Sequence, residues 1–172
     1  VDTVRRLAGL AADKGYRMFL LGAKEGVAEA AARALVKEYP KLRIAGTYAG
    51  SPFKQEEDGI VERIREAAAH ILLVAYGAPQ QDLWIARNTE RLDVPLAMGV
   101  GGSFDYIAGI AARAPFRLRK LGLEWLYRLY RQPWRWRRML ALPHCACLVA
   151  RQRIVQGRAR PFTRQPGREE ER

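Results

Sequence analysis

"HILLVAYG", residues 70–77, decides the fold class. Its apolar residues run without interruption from Ile71 to Ala75, and a glycine closes the stretch. A strand with one wet face alternates polar and apolar residues. A strand without alternation is buried on both faces, which is the pattern of a parallel sheet covered by helices. Outward from this run the chain keeps changing period. Residues 56–69 read as a helix with Ile60, Ile64 and Ala68 spaced by four. "LRIAG" (42–46) reads as a strand, and "GVAEAAARALVKEY" (26–39) as an alanine-rich helix stopped by Pro40. "RMFLLG" (17–22) is another buried strand, and residues 2–14 form a helix with Val4, Leu7, Ala8 and Ala11 on one face. Downstream, residues 80–91 are helical and "VPLAMGVGG" (94–102) is a strand running into a glycine turn. The expected fold is α/β, a Rossmann-like parallel sheet flanked by helices. In such sheets ligands bind outside the carboxyl ends of the strands, where Gly22, Gly77 and Gly99 fall here.

The charge is divided along the chain. The 172 residues carry a net charge of +12. Residues 1–112 hold 14 basic and 14 acidic side chains, whereas residues 113–172 hold 16 basic and 4 acidic ones. The charge divides the chain into a neutral α/β body over 1–112, a basic helical appendage over 113–156 and a polar, disordered tail over 157–172. In the appendage Leu118, Leu121, Trp125 and Leu129 form an apolar stripe. Arg117, Lys120, Glu124, Arg128, Arg131 and Arg135 form a second stripe, and Trp134 and Trp136 lie among the arginines. A solvated helix face, an anionic membrane surface and single-stranded nucleic acid all fit this mixture. No run of 18 uncharged apolar residues exists to span a membrane, and the first residues are too charged for a secretory signal. Cys145 and Cys147 stand one residue apart, too close for an ordinary disulfide and too few for a zinc site. They read as part of an apolar helix in a reducing compartment.

Three short stretches carry candidate chemistry, each with a purely structural alternative. "LLGAKEGVAEAA" (20–31) is a strand, a glycine turn and a helix start, and such amides suit a phosphate or simply make a turn. "YGAPQQDLWIARN" (76–88) places Gln80, Gln81 and Asp82 just past the best strand, with Pro79 suited to the first helical turn. An amide there can bond a sugar hydroxyl or a base, or cap the helix. "GVGGSFDYIAG" (99–109) has glycines that allow close backbone approach and one acid, Asp105, able to accept from a ribose or to cap a turn.

Taken in order, "GYRMFLLGA", "YPKLRIAG", "GAPQQDLWIARN", "GVGGSFDYIAG" and "RAPFRLRKLGLEWLYRLYRQPWRWRR" resemble the WecG/TagA/CpsF family of bacterial glycosyltransferases over roughly residues 1–140. The resemblance implies transfer of a sugar, typically N-acetylmannosamine, from UDP to a polyprenyl-diphosphate-linked acceptor. It implies inversion, no metal or other cofactor, and a peripheral place at the cytoplasmic face of the membrane. Teichoic acid and exopolysaccharide synthesis are the implied settings. By position, Gln81 matches the glutamine of the family's P-x-Q-E, with Asp82 in place of the glutamate. Asp105 and the glycine turns at Gly22, Gly50, Gly77 and Gly101 match its nucleotide-binding edge. Arg128, Arg135 and Arg138 match appendage arginines that meet the diphosphate, where guanidinium groups can balance the charge of leaving UDP. After Gly50 the family has Tyr-Phe, whereas Ser51 and Pro52 precede Phe53 here.

The resemblance also implies about 80 further family residues ahead of Val1, holding the aspartate that acts as general base. The chain begins without Met, and the expectation is a piece of a longer transferase. The alternative is a non-catalytic nucleotide-binding remnant that docks on membranes. A nucleic-acid partner is not expected, because the sequence lacks a recognisable nucleic-acid module and because such a partner leaves the glycine-rich strand ends unexplained. Assembly with further copies is left open.

Overall fold

The computed structural model describes residues 1–111. The basic stripes, the cysteine pair, the tail and Arg128, Arg135 and Arg138 lie outside the described residues. The elements alternate as α1 (Asp2–Lys14), β1 (Arg17–Gly22), α2 (Val27–Glu38), β2 (Arg43–Tyr48), α3 (Lys54–Glu66), β3 (Ile71–Ala75), α4 (Gln80–Leu92), β4 (Leu96–Gly99) and α5 (Ser103–Ile107).

The four strands are all parallel, in the order β2-β1-β3-β4. The chain moves outward from β1 to β2, turns back across β1 to β3, and continues to β4. Parallel crossovers are right-handed, so a reversal of direction moves the connecting helix to the other face of the sheet. The two cores show this. On one face α1, α2 and α5 pack on Met18, Leu20, Ile71 and Leu73. On the other, α3 and α4 pack on Phe19, Leu21, Leu72 and Val74. Neighbouring residues of β1 and β3 thus enter different cores, as the period of two along a strand requires. Each buried leucine side chain contributes roughly 1.5–3 kcal/mol. The sheet is a helix-flanked parallel α/β sheet of order 2-1-3-4, and its strands do not display the 3-2-1-4-5-6 order of the dinucleotide-binding Rossmann sheet.

β1 and β3 lie where the apolar runs place them. β2 differs: it continues through Thr47 to Tyr48, past the expected end at Gly46. Among the described residues it is an edge strand that pairs only with β1, and its residues are half-buried or exposed, so no apolar run marks its extent. β4 is shorter than its apolar stretch and begins after Pro95, which has no N–H for a ladder.

Candidate active site

The strand order reverses between β1 and β3, and in sheets of this kind the crevice that takes a ligand lies at that point, outside the carboxyl ends of the strands. At the end of β1, Gly22 has φ +96, and a Cβ on it would stand 2.9 Å from the carbonyl carbon of Ala75 and 3.0 Å from Cδ1 of Tyr76. Only glycine lets the two strand ends come this close. Ala23 follows in a left-handed conformation and donates its N–H to the Ala75 carbonyl at 3.2 Å. The chain then enters α2 at Gly26, with no side-chain cap.

Beyond β3, Tyr76 and Gly77 lead into α4. Pro79 is the N-cap of this helix, one position before the first helical turn expected for it. The helix amides bond locally: Gln81 N–H donates to the Gly77 carbonyl at 2.9 Å, and those of Asp82 and Leu83 donate to the Pro79 carbonyl at 3.1 Å each. No side chain caps the helix. Gln81, which is buried, instead reaches the next strand end, where its Oε1 accepts the Gly101 N–H at 2.8 Å. The glycine turn is moulded around this side chain. A Cβ on Gly99 would lie 2.6 Å from Gln81 Nε2 and 2.9 Å from Asp82 Oδ1. Gly101 turns the chain at φ +51.

Asp105 follows in α5. Its carbonyl accepts the N–H groups of Ile110 and Ala111, while its carboxylate forms no hydrogen bond among the described residues and lies 3.5 Å from where a Gly102 Cβ would be. Among the described residues its side chain caps no turn. Gly50 stands after β2, against Tyr48 and Ile60. Thus Gln81 and Gly101 are in direct contact, Gly22 and Gly77 flank Tyr76, Gly50 occupies the loop after β2, and Asp105 stands in the short helix after β4.

Three features of this edge have no local signal in the sequence. The Tyr76 hydroxyl is buried and has no hydrogen-bond partner among the described residues, and its ring meets Trp84 edge-on at 6.0 Å. Burial pushes its pKa far above the usual tyrosine range, with further upward contributions from Glu56 and Tyr48. Arg63 stacks over the Tyr48 ring at 4.6 Å from its centre. Arg87 on α4 bonds the buried Glu57 of α3, thirty positions away. Tyr76 stands directly after the apolar run, which is the nearest thing to a signal; the Glu57–Arg87 pair has none.

The edge carries glycine turns, one side-chain amide and two carboxylates, groups able to hydrogen-bond a polyhydroxylated ligand. His70 plays no part in it. Its Nδ1 accepts the Arg17 N–H at 3.2 Å at the opposite end of the sheet. A separate groove of about 660 Å³ between α3 and α4 is lined by Asp58, Glu62, Arg65, Glu66, Glu90 and Arg91, and none of the glycine turns reaches it. Among the described residues no three metal-ligating side chains cluster, and no helix is long and apolar enough to cross a membrane.

Comparison with known proteins gives the same order of motifs a family. Residues 1–159 match the Glycosyl transferase WecG/TagA/CpsF family. A Bacillus subtilis (strain 168) protein named N-acetylglucosaminyldiphosphoundecaprenol N-acetyl-beta-D-mannosaminyltransferase is 36% identical over 151 residues, covering 88% of this chain and 58% of that protein. Proteins of the same name from Bacillus spizizenii (strain ATCC 23059 / NRRL B-14472 / W23) and Staphylococcus aureus (strain NCTC 8325 / PS 47) are 34% and 38% identical. They cover 83% and 65% of this chain and 54% and 43% of their own lengths. The chain spans about half the length of these curated relatives. With all but its last thirteen residues matched, the chain belongs to the WecG/TagA/CpsF glycosyl transferase family.

Proposed function

We propose that this chain forms the nucleotide-sugar-binding and diphosphate-facing part of a transferase that moves a sugar from UDP to a polyprenyl-diphosphate-linked acceptor with inversion. The observation that carries the reading is the bond from Gly101 N–H to Gln81 Oε1, which joins two motifs of the family at the carboxyl edge of the sheet. In this reading Gln81 Nε2 and the glycine turns at Gly22, Gly77 and Gly101 receive the nucleotide sugar, and the Asp105 carboxylate accepts from its hydroxyls or base. Arg128, Arg135 and Arg138 oppose the charge that develops on leaving UDP. The appendage over 113–156 binds the anionic inner face of the membrane through its arginines and tryptophans, which keeps the enzyme beside a lipid-linked acceptor. N-acetylmannosamine is the proposed sugar, since the three relatives are named for its transfer.

The test is UDP release from UDP-N-acetylmannosamine in the presence of a polyprenyl-diphosphate-linked N-acetylglucosamine. Arg128→Ala and Arg135→Ala are expected to lower turnover at least about ten-fold, a loss of transition-state stabilisation, with the melting temperature retained. If both variants only lower the melting temperature, the arginines are structural. A second reading is favoured by the coverage of about half of each relative: the chain binds the nucleotide but depends on residues beyond it for the base. Binding of UDP without turnover by these 172 residues, restored by a longer chain, selects that reading.

A further inference from the structure

Arg87 stands midway along α4 and reaches the loop that leaves β2. Its Nε donates to Glu57 Oε1 at 2.8 Å, and its Nη2 donates both to that oxygen and to the Pro52 carbonyl, the latter at 3.0 Å. Glu57 is only 7% exposed, so its carboxylate is held away from water with this guanidinium as its partner. A buried charge without a partner is costly, which makes the pair a fixed point between α3 and α4.

The loop it holds is short and pinned at several places. Gly50 turns at φ +50 against the Tyr48 ring and Ile60. The Phe53 N–H donates to Ser51 Oγ at 3.3 Å, and the Glu56 N–H donates to the Phe53 carbonyl at 3.2 Å. Phe53 itself is left 70% exposed. The loop adjoins the crevice: Tyr48, from which it leaves, pairs with Leu21 of β1, and the next residue of β1, Gly22, lies against the Tyr76 ring.

We propose that Arg87 is a positioning residue for the ligand edge. By forking between Glu57 and the Pro52 carbonyl, it ties the loop after β2 to the helix that carries Gln81. The two sides of the crevice thereby keep one separation. This rests on the nucleotide-sugar reading above. The role needs the planar fork of arginine, because a lysine ammonium is a single point and cannot meet both acceptors in the same geometry.

The experiment compares the full chain with Arg87→Lys and with the double variant Arg87→Met/Glu57→Gln, which removes both charges. Two quantities are read: hydrogen exchange of the amides of residues 50–56 without ligand, and the affinity for UDP by calorimetry. Both variants are expected to melt cooperatively, to exchange these amides about ten-fold faster and to bind UDP about ten-fold more weakly. Arg87→Lys should not rescue either quantity. UDP affinity unchanged in the variants, with a wild type that binds, overturns this proposal alone. A wild type that does not bind UDP overturns the nucleotide reading and this proposal with it.

Discussion

Two glycines carry opposite expectations for substitution. A Cβ on Gly99 would collide with Gln81, whose amide cannot retreat without giving up the Gly101 N–H. Gly99→Ala should therefore cost about 1–3 kcal/mol in urea denaturation, the usual range for overpacking. Gly59, in the middle of α3, has nothing within 4 Å of its missing Cβ, and Gly59→Ala should stabilise by roughly 0.5–1 kcal/mol in the same assay. Tyr76 makes stability depend on pH at the alkaline end. Its folded-state pKa is raised by burial, so above about pH 10 the unfolded chain loses the phenolic proton while the native chain keeps it. The native state then binds more protons, and stability falls as pH rises. Urea melts at about pH 9 and about pH 11 should show a larger loss for the wild type than for Tyr76→Phe. An equal loss in both would mean the hydroxyl is not the group responsible.

Among the elements, α4 is the one on which the crevice depends. Gln81, Trp84, Asn88 and Leu92 recur every three or four residues and face inward, and Trp84 is fully buried. The helix is anchored at Trp84 and delivers Gln81 one turn earlier. Trp84→Ala should cost about 3–5 kcal/mol, as for other large core truncations, whereas Leu83→Ala, at a side chain 55% exposed, should stay within about 0.5 kcal/mol. This helix, β1 and β3 were legible because their patterns are local: an unbroken apolar run, or a repeat of three and four. β2 was less so, since an edge strand mixes Thr47 and Tyr48 with apolar residues. Within the site, glycine spacing announced the turns. The pairing of Gln81 with Gly101 was not announced, because contacts between residues twenty apart are settled by sheet order. The Glu57–Arg87 fork is less legible still: two charged residues on separate helices read as solvated faces until the helices are placed side by side.

On the scale of the whole molecule, the neutral first two thirds of the chain build the described sheet, and the +12 charge belongs to the last third. Keeping the excess charge out of the sheet-building segment spares its fold the strain of self-repulsion. Within the body, the parallel sheet does something further. Its two sets of buried side chains never mix: Leu35 belongs to one and Ile64 to the other. The backbone ladder works as a partition that insulates one reservoir of stability from the other. Losses on opposite sides should therefore simply add. Leu35→Ala combined with Ile64→Val should equal the sum of the single effects to within about 0.5 kcal/mol, while Ile60→Val with Ile64→Val, on one side, should depart from its sum by more. A double-mutant cycle by urea denaturation decides it. If the partition holds, variation can accumulate beneath α1 and α2 without being felt at Trp84, and the side that carries Gln81 evolves to its own constraints.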